Sequence, residues 1–176
     1  MFNMFDEKTL IFQKQDGGKL KITNNVLEQF RLFRQIEQGE HEAGGLLLGR
    51  YIINSNDTII DLISTPQLND VSSPVKFIKN KDEHQAIVDE AWEKSCGTCN
   101  FLGEWHTHPE KIPSPSIIDI KNWKSIISKA VFESNSLYFL IIGSSQISAF
   151  EVTKSNRNII QLQWQRKRQT TEKQFL

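Results

Sequence analysis

Apolar positions recur along this chain in two periods, and together they predict its elements. TLIFQK and KLKIT flank Gln-Asp-Gly-Gly, which reads as a β-hairpin closed by an Asp-Gly type turn. In NNVLEQFRLFRQIEQ the apolar residues Val26, Leu27, Phe30, Phe33 and Ile36 return at helical spacing. A Thr23/Asn24 cap opens that helix and Gly39 is expected to end it. AGGLLLGRYII is an apolar run without alternation, which predicts a buried central strand open to close approach at Gly44 and Gly45. TIIDLIS is its partner strand, and the stretch from Thr65 to Lys79 reads as a long loop. KDEHQAIVDEAWEKS is predicted as a helix and NFLGEWHTH as a strand. Past the Pro109–Pro115 loop, Ser116 opens a helix over SIIDIKNWKSIISKAVF. SLYFLIIG, QISAFEV and NIIQLQWQ then predict three closing strands. The order ββαββαβαβββ implies an α/β fold of the α+β kind, a mixed sheet flanked by helices.

At 176 residues the chain suits one domain, expected over residues 1–165, with a polar and basic tail over 166–176. Its 21 basic residues balance 21 acidic ones, so neither nucleic acid nor an acidic membrane is expected as a partner. No apolar run nears the roughly 18 residues of a membrane span. No secretory signal is evident at the N-terminus, and two cysteines are too few for a disulfide scaffold. These features set the expectation of a cytoplasmic protein.

The chemistry gathers in GEWHTHPEKIPSPSIID, which holds two of the four histidines. Side chains alternate along a strand, so His106 and His108 share a face with Thr107 turned away. Two imidazoles so placed can converge on one metal ion, and Asp119 supplies a carboxylate beyond a loop that can fold back. Two His and one Asp leave a fourth position for water, the arrangement of a catalytic rather than a structural zinc site. Such a water is a nucleophile near neutral pH, given a base and an oxyanion donor. Ser116, three residues before Asp119, is the candidate donor. Glu42, ahead of Ala-Gly-Gly, is the candidate base. Ser116-Ile-Ile-Asp119 is also a helix capping box, and the two readings are compatible.

E-x-G-G…L-x-G followed by H-T-H-P…P-x-P-S-x-x-D resembles the JAMM (MPN-plus) metalloprotease family, over roughly residues 20–153. The likeness is carried by Glu42, Gly44, Gly45, His106, His108, Pro109, Ser116 and Asp119. It implies an MPN architecture like that of cytidine deaminases. It implies one Zn2+ per chain, held by His106, His108 and Asp119 with a catalytic water. It implies Glu42 as general base and Ser116 as stabiliser of the tetrahedral intermediate. The substrate it implies is an amide or isopeptide bond at the C-terminal tail of a ubiquitin-like modifier or conjugated protein. With Trp105 and Trp123, the fuller string is similar to a bacterial subgroup that accompanies E1/E2-like conjugating enzymes. That subgroup includes the isopeptidase of CBASS anti-phage operons, which removes a conjugate from a cyclic-oligonucleotide synthase. Two alternatives stand beside this: processing of a small sulfur-carrier protein, and a non-catalytic MPN scaffold.

Other residues carry weaker signals. Cys96-Gly-Thr-Cys99 follows a helix and precedes a strand, the wrong setting for a thioredoxin motif, so a structural role is expected. His41 reads as an exposed loop residue and His84 as a solvated one on a helix. Glu104 shares the His106 face, either orienting an imidazole or lying at the surface. Trp105 points to the core, and the spacing Ile120, Trp123, Ile127 favours packing for Trp123. In the resembling family, insertions near Thr65–Lys79 help hold the modifier's tail. Pro74–Ile78 is therefore a candidate strand beside an extended peptide, an ordinary surface loop being the alternative.

Overall fold

The structure is a computed structural model describing residues 3–166. The basic tail residues Lys167, Arg168 and Lys173 lie outside the described residues. The expected hairpin forms from β1 (Leu10–Gln13) and β2 (Lys19–Ile22), and α1 (Asn24–Phe33) follows it. β3 (Gly44–Tyr51), β4 (Thr58–Ile63), β7 (Asn100–Thr107), β8 (Ser136–Ile142) and β9 (Ile147–Thr153) match five further predicted strands. A long helix, α2 (Lys81–Lys94), precedes β7, and α3 (Ile117–Lys129) follows it. No helix among the described residues is long and apolar enough to cross a membrane.

Three expectations change. First, α1 stops at Phe33 and not before Gly39, because Arg34 leaves helical ψ and the Gln35 side chain turns into the core. The carboxylate of Glu40 accepts the freed N–H groups of Ile36 and Glu37. Second, the Thr65–Lys79 loop carries its own small hairpin, β5 (Val71–Ser73) against β6 (Lys76–Ile78). Third, NIIQLQWQ splits into β10 (Ile159–Gln161) and β11 (Gln163–Trp164), joined through Leu162.

That split shapes the whole sheet. Its strand order is β10-β9-β8-β7-β3-β4-β2-β1-β11. β10 pairs with β9 and β11 with β1, so the chain steps from one edge to the other across a single residue. The nine-stranded sheet therefore curls so that its two edge strands come together at Leu162.

Alternation along β8 sorts the two faces. Leu140 and Ile142 point inside the curl, with Val26, Leu27 and Phe30 of α1. Leu137, Phe139 and Ile141 point outward against Trp123 and Ile127 of α3. On β7 the alternation is reset by a bulge. Leu47 pairs with Gly103 and Leu48 with Phe101, so Leu102 is left over. Gly103 sits at φ +140, and a Cβ there would stand 1.8 Å from the Tyr138 carbonyl oxygen. Glycine is required at such a point. Beyond the bulge Trp105 packs inward against Phe30 and Phe33, as expected.

Gly44 and Gly45 are approached closely, but by the protein itself. A Cβ on Gly45 would lie 2.1 Å from the Ser64 carbonyl oxygen and 2.8 Å from the Trp105 indole nitrogen. That indole donates to the same carbonyl at 3.0 Å. Gly45→Ala is therefore expected to lower stability by about 1–3 kcal/mol through overpacking. Thermal unfolding reads this directly, and an unchanged midpoint would show that β3 and β4 part there without cost.

Candidate active site

His106 lies in the last turn of pleat of β7, and His108 just past the strand's end. Their Nε2 atoms are 3.1 Å apart. Thr107 between them is fully buried on the opposite face. The Pro109–Pro115 segment folds back and delivers α3 beneath them. Asp119 Oδ1 lies 3.2 Å from His106 Nε2, and Oδ2 lies 3.6 Å from His108 Nε2. These three are the one group of His, Cys, Asp or Glu side chains among the described residues whose ligand atoms cluster tightly enough for a metal ion. A tetrahedral ion with bonds of about 2.0–2.1 Å sets its ligand atoms about 3.3 Å apart. The observed separations bracket that value, so the donor set fits zinc in both type and spacing.

The capping box is present and fixes the carboxylate. Ser116 Oγ accepts the Asp119 N–H at 3.1 Å, and Asp119 Oδ2 accepts the Ser116 N–H at 2.7 Å. Ser116 Oγ thus serves the cap as an acceptor, and its O–H, a donor, also bears on the Asp119 carboxylate. Burial works to raise the Asp119 pKa. The His106 ring and the two Ser116 groups outweigh it and hold the carboxyl well below its usual range. His108 is pushed down, first by burial and then by His106 beside it. A neutral imidazole is the form that binds a metal.

Glu42 reaches the same hollow, a cavity of about 490 Å³, from the segment before β3. It is half-buried. Burial pushes its carboxyl up to about 7, with His106 opposing and Asp119 reinforcing the shift. A carboxylate poised near neutrality is suited to moving protons. The Glu42 main chain is tied to the β5–β6 hairpin. Its N–H donates to the Ser73 carbonyl at 2.9 Å, and its carbonyl accepts the Ser72 hydroxyl at 2.6 Å. Pro74, Phe77 and Lys79 of that hairpin and its neck form one wall of the hollow, and Ile118 stands on the other.

The remaining candidates sort out by contact. Glu104 does share the His106 face, but it pairs with Lys79 at 2.6 Å. His41 is exposed. Trp123 packs, stacked at 5.0 Å on Phe139, and its edge also lines the hollow. Cys96 and Cys99 are free thiols, the first exposed and the second buried. His84 corrects the sequence reading, since it is buried and not solvated. Its Nδ1 lies 2.7 Å from Ser64 Oγ, and its Nε2 lies 3.0 Å from Asp70 Oδ2. Asp70 also accepts the N–H groups of Gln67 and Asn80, which pinches the neck of the hairpin. The sequence reading missed Gln35 and Lys79. Gln35 carried no motif, and Lys79 is one charge among many.

Residues 25–158 match the Prok-JAB family, described as prokaryotic homologs of the JAB domain. A Pseudomonas aeruginosa protein named CD-NTase/cGAS isopeptidase is 35% identical over 141 residues, covering 74% of this chain and 88% of that one. Proteins of the same name from Escherichia coli and Vibrio cholerae are 31% and 29% identical. They cover 78% and 89% of this chain, and 85% and 95% of their own lengths. A solution structure of a Desulfitobacterium hafniense protein superposes with a TM-score of 0.54 at 22% identity. It covers 81% of this chain and 87% of its own, a likeness of fold.

The ligand geometry makes its own prediction. The purified chain is expected to take up one zinc ion, and His106→Ala to lose it, because a donor is gone. Metal analysis of the two proteins decides this; equal zinc in both would remove His106 from the donor set.

Proposed function

The chain belongs to the Prok-JAB family, and on that premise we propose that it is a zinc-dependent isopeptidase. It cuts the amide joining the C-terminal tail of a ubiquitin-like modifier or conjugated protein to a lysine. The conjugate is one carrying a cyclic-oligonucleotide synthase in bacterial CBASS defence, in keeping with relatives named CD-NTase/cGAS isopeptidase. One observation carries the reading. The His106 and His108 Nε2 atoms, 3.1 Å apart, each have an Asp119 carboxylate oxygen within 3.6 Å, and they face a hollow that also holds a carboxylate raised to about 7.

His106, His108 and Asp119 would hold the ion, whose part is to act as a Lewis acid and make water acidic enough to attack. Glu42 takes the proton of the attacking water and delivers it to the leaving amine nitrogen. Its half-buried position supports both steps, since a base near neutrality gives up its proton as readily as it gains it. Ser116 turns its O–H to the oxygen of the tetrahedral intermediate. Asp119, held by the α3 cap, keeps a fixed orientation and needs little reorganisation. The β5–β6 hairpin, which forms one wall, suits an extended peptide laid alongside it. Processing of a sulfur-carrier protein and a non-catalytic scaffold gain no observation of their own.

Two substitutions test the roles on a protein joined through an amide to the C-terminus of a modifier. Glu42→Ala is expected to keep one zinc per chain while turnover falls by about 10²-fold or more, because the base is no ligand. Equal turnover in wild type and Glu42→Ala would sink the mechanism. Ser116→Gly is expected to cost only a few tenths of a kcal/mol, since glycine is tolerated at an N-cap. Its turnover should nonetheless fall by about 10²–10³-fold. Unfolding and kinetics measured together separate the two jobs of that hydroxyl.

A further inference from the structure

Glu42 is placed by a ring of hydrogen bonds that closes through a residue far from the chemistry. Gln35 follows α1 and is only 3% exposed. Its Oε1 accepts the Thr107 hydroxyl at 2.9 Å. Its Nε2 donates to the Glu40 carbonyl at 2.8 Å and to the Pro74 carbonyl at 3.3 Å. Thr107 Oγ1 in turn accepts the Ala43 N–H at 3.0 Å. Ala43 is bonded to Glu42, whose N–H donates to Ser73, the neighbour of Pro74. The path therefore runs from Gln35 through Thr107, Ala43, Glu42, Ser73 and Pro74 and back to Gln35.

The chemistry forces the direction of each bond. The Thr107 hydroxyl has accepted from Ala43, so its own hydrogen is left for an acceptor, and only Oε1 can take it. Nε2 then faces two carbonyls, as a donor must. The groups that form the ring are a carboxamide, a hydroxyl and main-chain N–H and carbonyl groups, none of which titrates; Glu42 enters it through its main chain alone. The ring also spans the three segments that meet at the site. Thr107 lies between the two histidines, Ala43 follows Glu42, and Pro74 turns the hairpin. Leaving a buried partner unmatched is costly, so removal of one amide disturbs all three.

We propose that Gln35 is a positioning residue for the reaction: through Thr107 and Pro74 it sets Glu42 and the hairpin relative to the His106–His108 pair. This rests on the isopeptidase reading above. Gln35 touches neither the metal ligands nor the hollow. It acts by fixing where Glu42 emerges, and displacement of a catalytic group by about 1 Å costs roughly 10²-fold in rate.

The test is an epistasis measurement on the full chain. Gln35→Met keeps the length of the side chain and loses every bond. Gln35→Glu keeps the acceptor for Thr107 but sets an oxygen against two carbonyls. Thr107→Val cuts the ring on its other side. Each is assayed for zinc content and for kcat on the amide-joined modifier substrate, alone and combined with Glu42→Ala. Any variant that holds less than one zinc is set aside for the other two, which report on the same ring. Expected are full zinc, a fall in kcat of about 10-fold to 100-fold in the Glu42 background, and a change of less than about twofold once Glu42 is alanine. Equal falls in both backgrounds would make the ring a stability device and overturn the inference, with the isopeptidase left standing. Glu42→Ala matching wild type would instead remove the base assignment, and this inference with it.

Discussion

Two imidazole nitrogens held 3.1 Å apart beside a carboxylate form a cluster that must be imposed from outside. The contact of His106 with Asp119 accounts for only part of this cluster, so the surrounding backbone has to assemble the rest. The strand supplies half of the answer. A period of two sends His106 and His108 to one face, provided Thr107 stays on the other. Thr107 stays because its hydroxyl is committed twice in a fully buried place, to Gln35 and to Ala43. Helix α3 supplies the other half through its cap, which turns Asp119 toward the imidazoles. The bonds that stabilise these elements are also the ones that set the candidate ligands.

The bulge at Gly103 decides which face is which. Upstream of it, Phe101 packs with the outer helices and Leu102 with the inner core. Downstream, Trp105 is inside, and Glu104 and His106 are outside. Were the same residues laid in a regular strand with no bulge, the alternation from Phe101 would carry the opposite set outward, and a tryptophan would stand where the candidate ligand is. The curled sheet then protects the arrangement, since its inner core is closed by Leu162 between the two edges.

Electrostatics follow from this placement. The hollow lies at the end of the sheet, half out of water. Burial lifts Glu42 toward neutrality, while the hydrogen bonds of Asp119 hold it ionised. Two carboxylates in one cavity thus fall into opposite states for separate physical reasons. One is suited to ligation and the other to carrying a proton.

Much of this was legible in the residues alone. Spacing fixed the shared face of His106 and His108, the Ser116–Asp119 cap and the inward turn of Trp105, because each depends on a local period or a contact within one helical turn. Most of the predicted strands and helices hold for the same reason. Tertiary structure alone decided the rest. Helix α1 ends at Phe33 because Gln35 is worth more in the core than in a further turn, a comparison that involves residues 39 and 72 positions away. His84 is buried because Ser64 and Asp70 meet it there, and a helical pattern reads a lone histidine as polar. NIIQLQWQ divides because its halves pair with strands at opposite edges, which no local pattern records. Which residues a site contains is written in short motifs. How they are held is written in bonds between distant segments, and those exist only once the chain has folded.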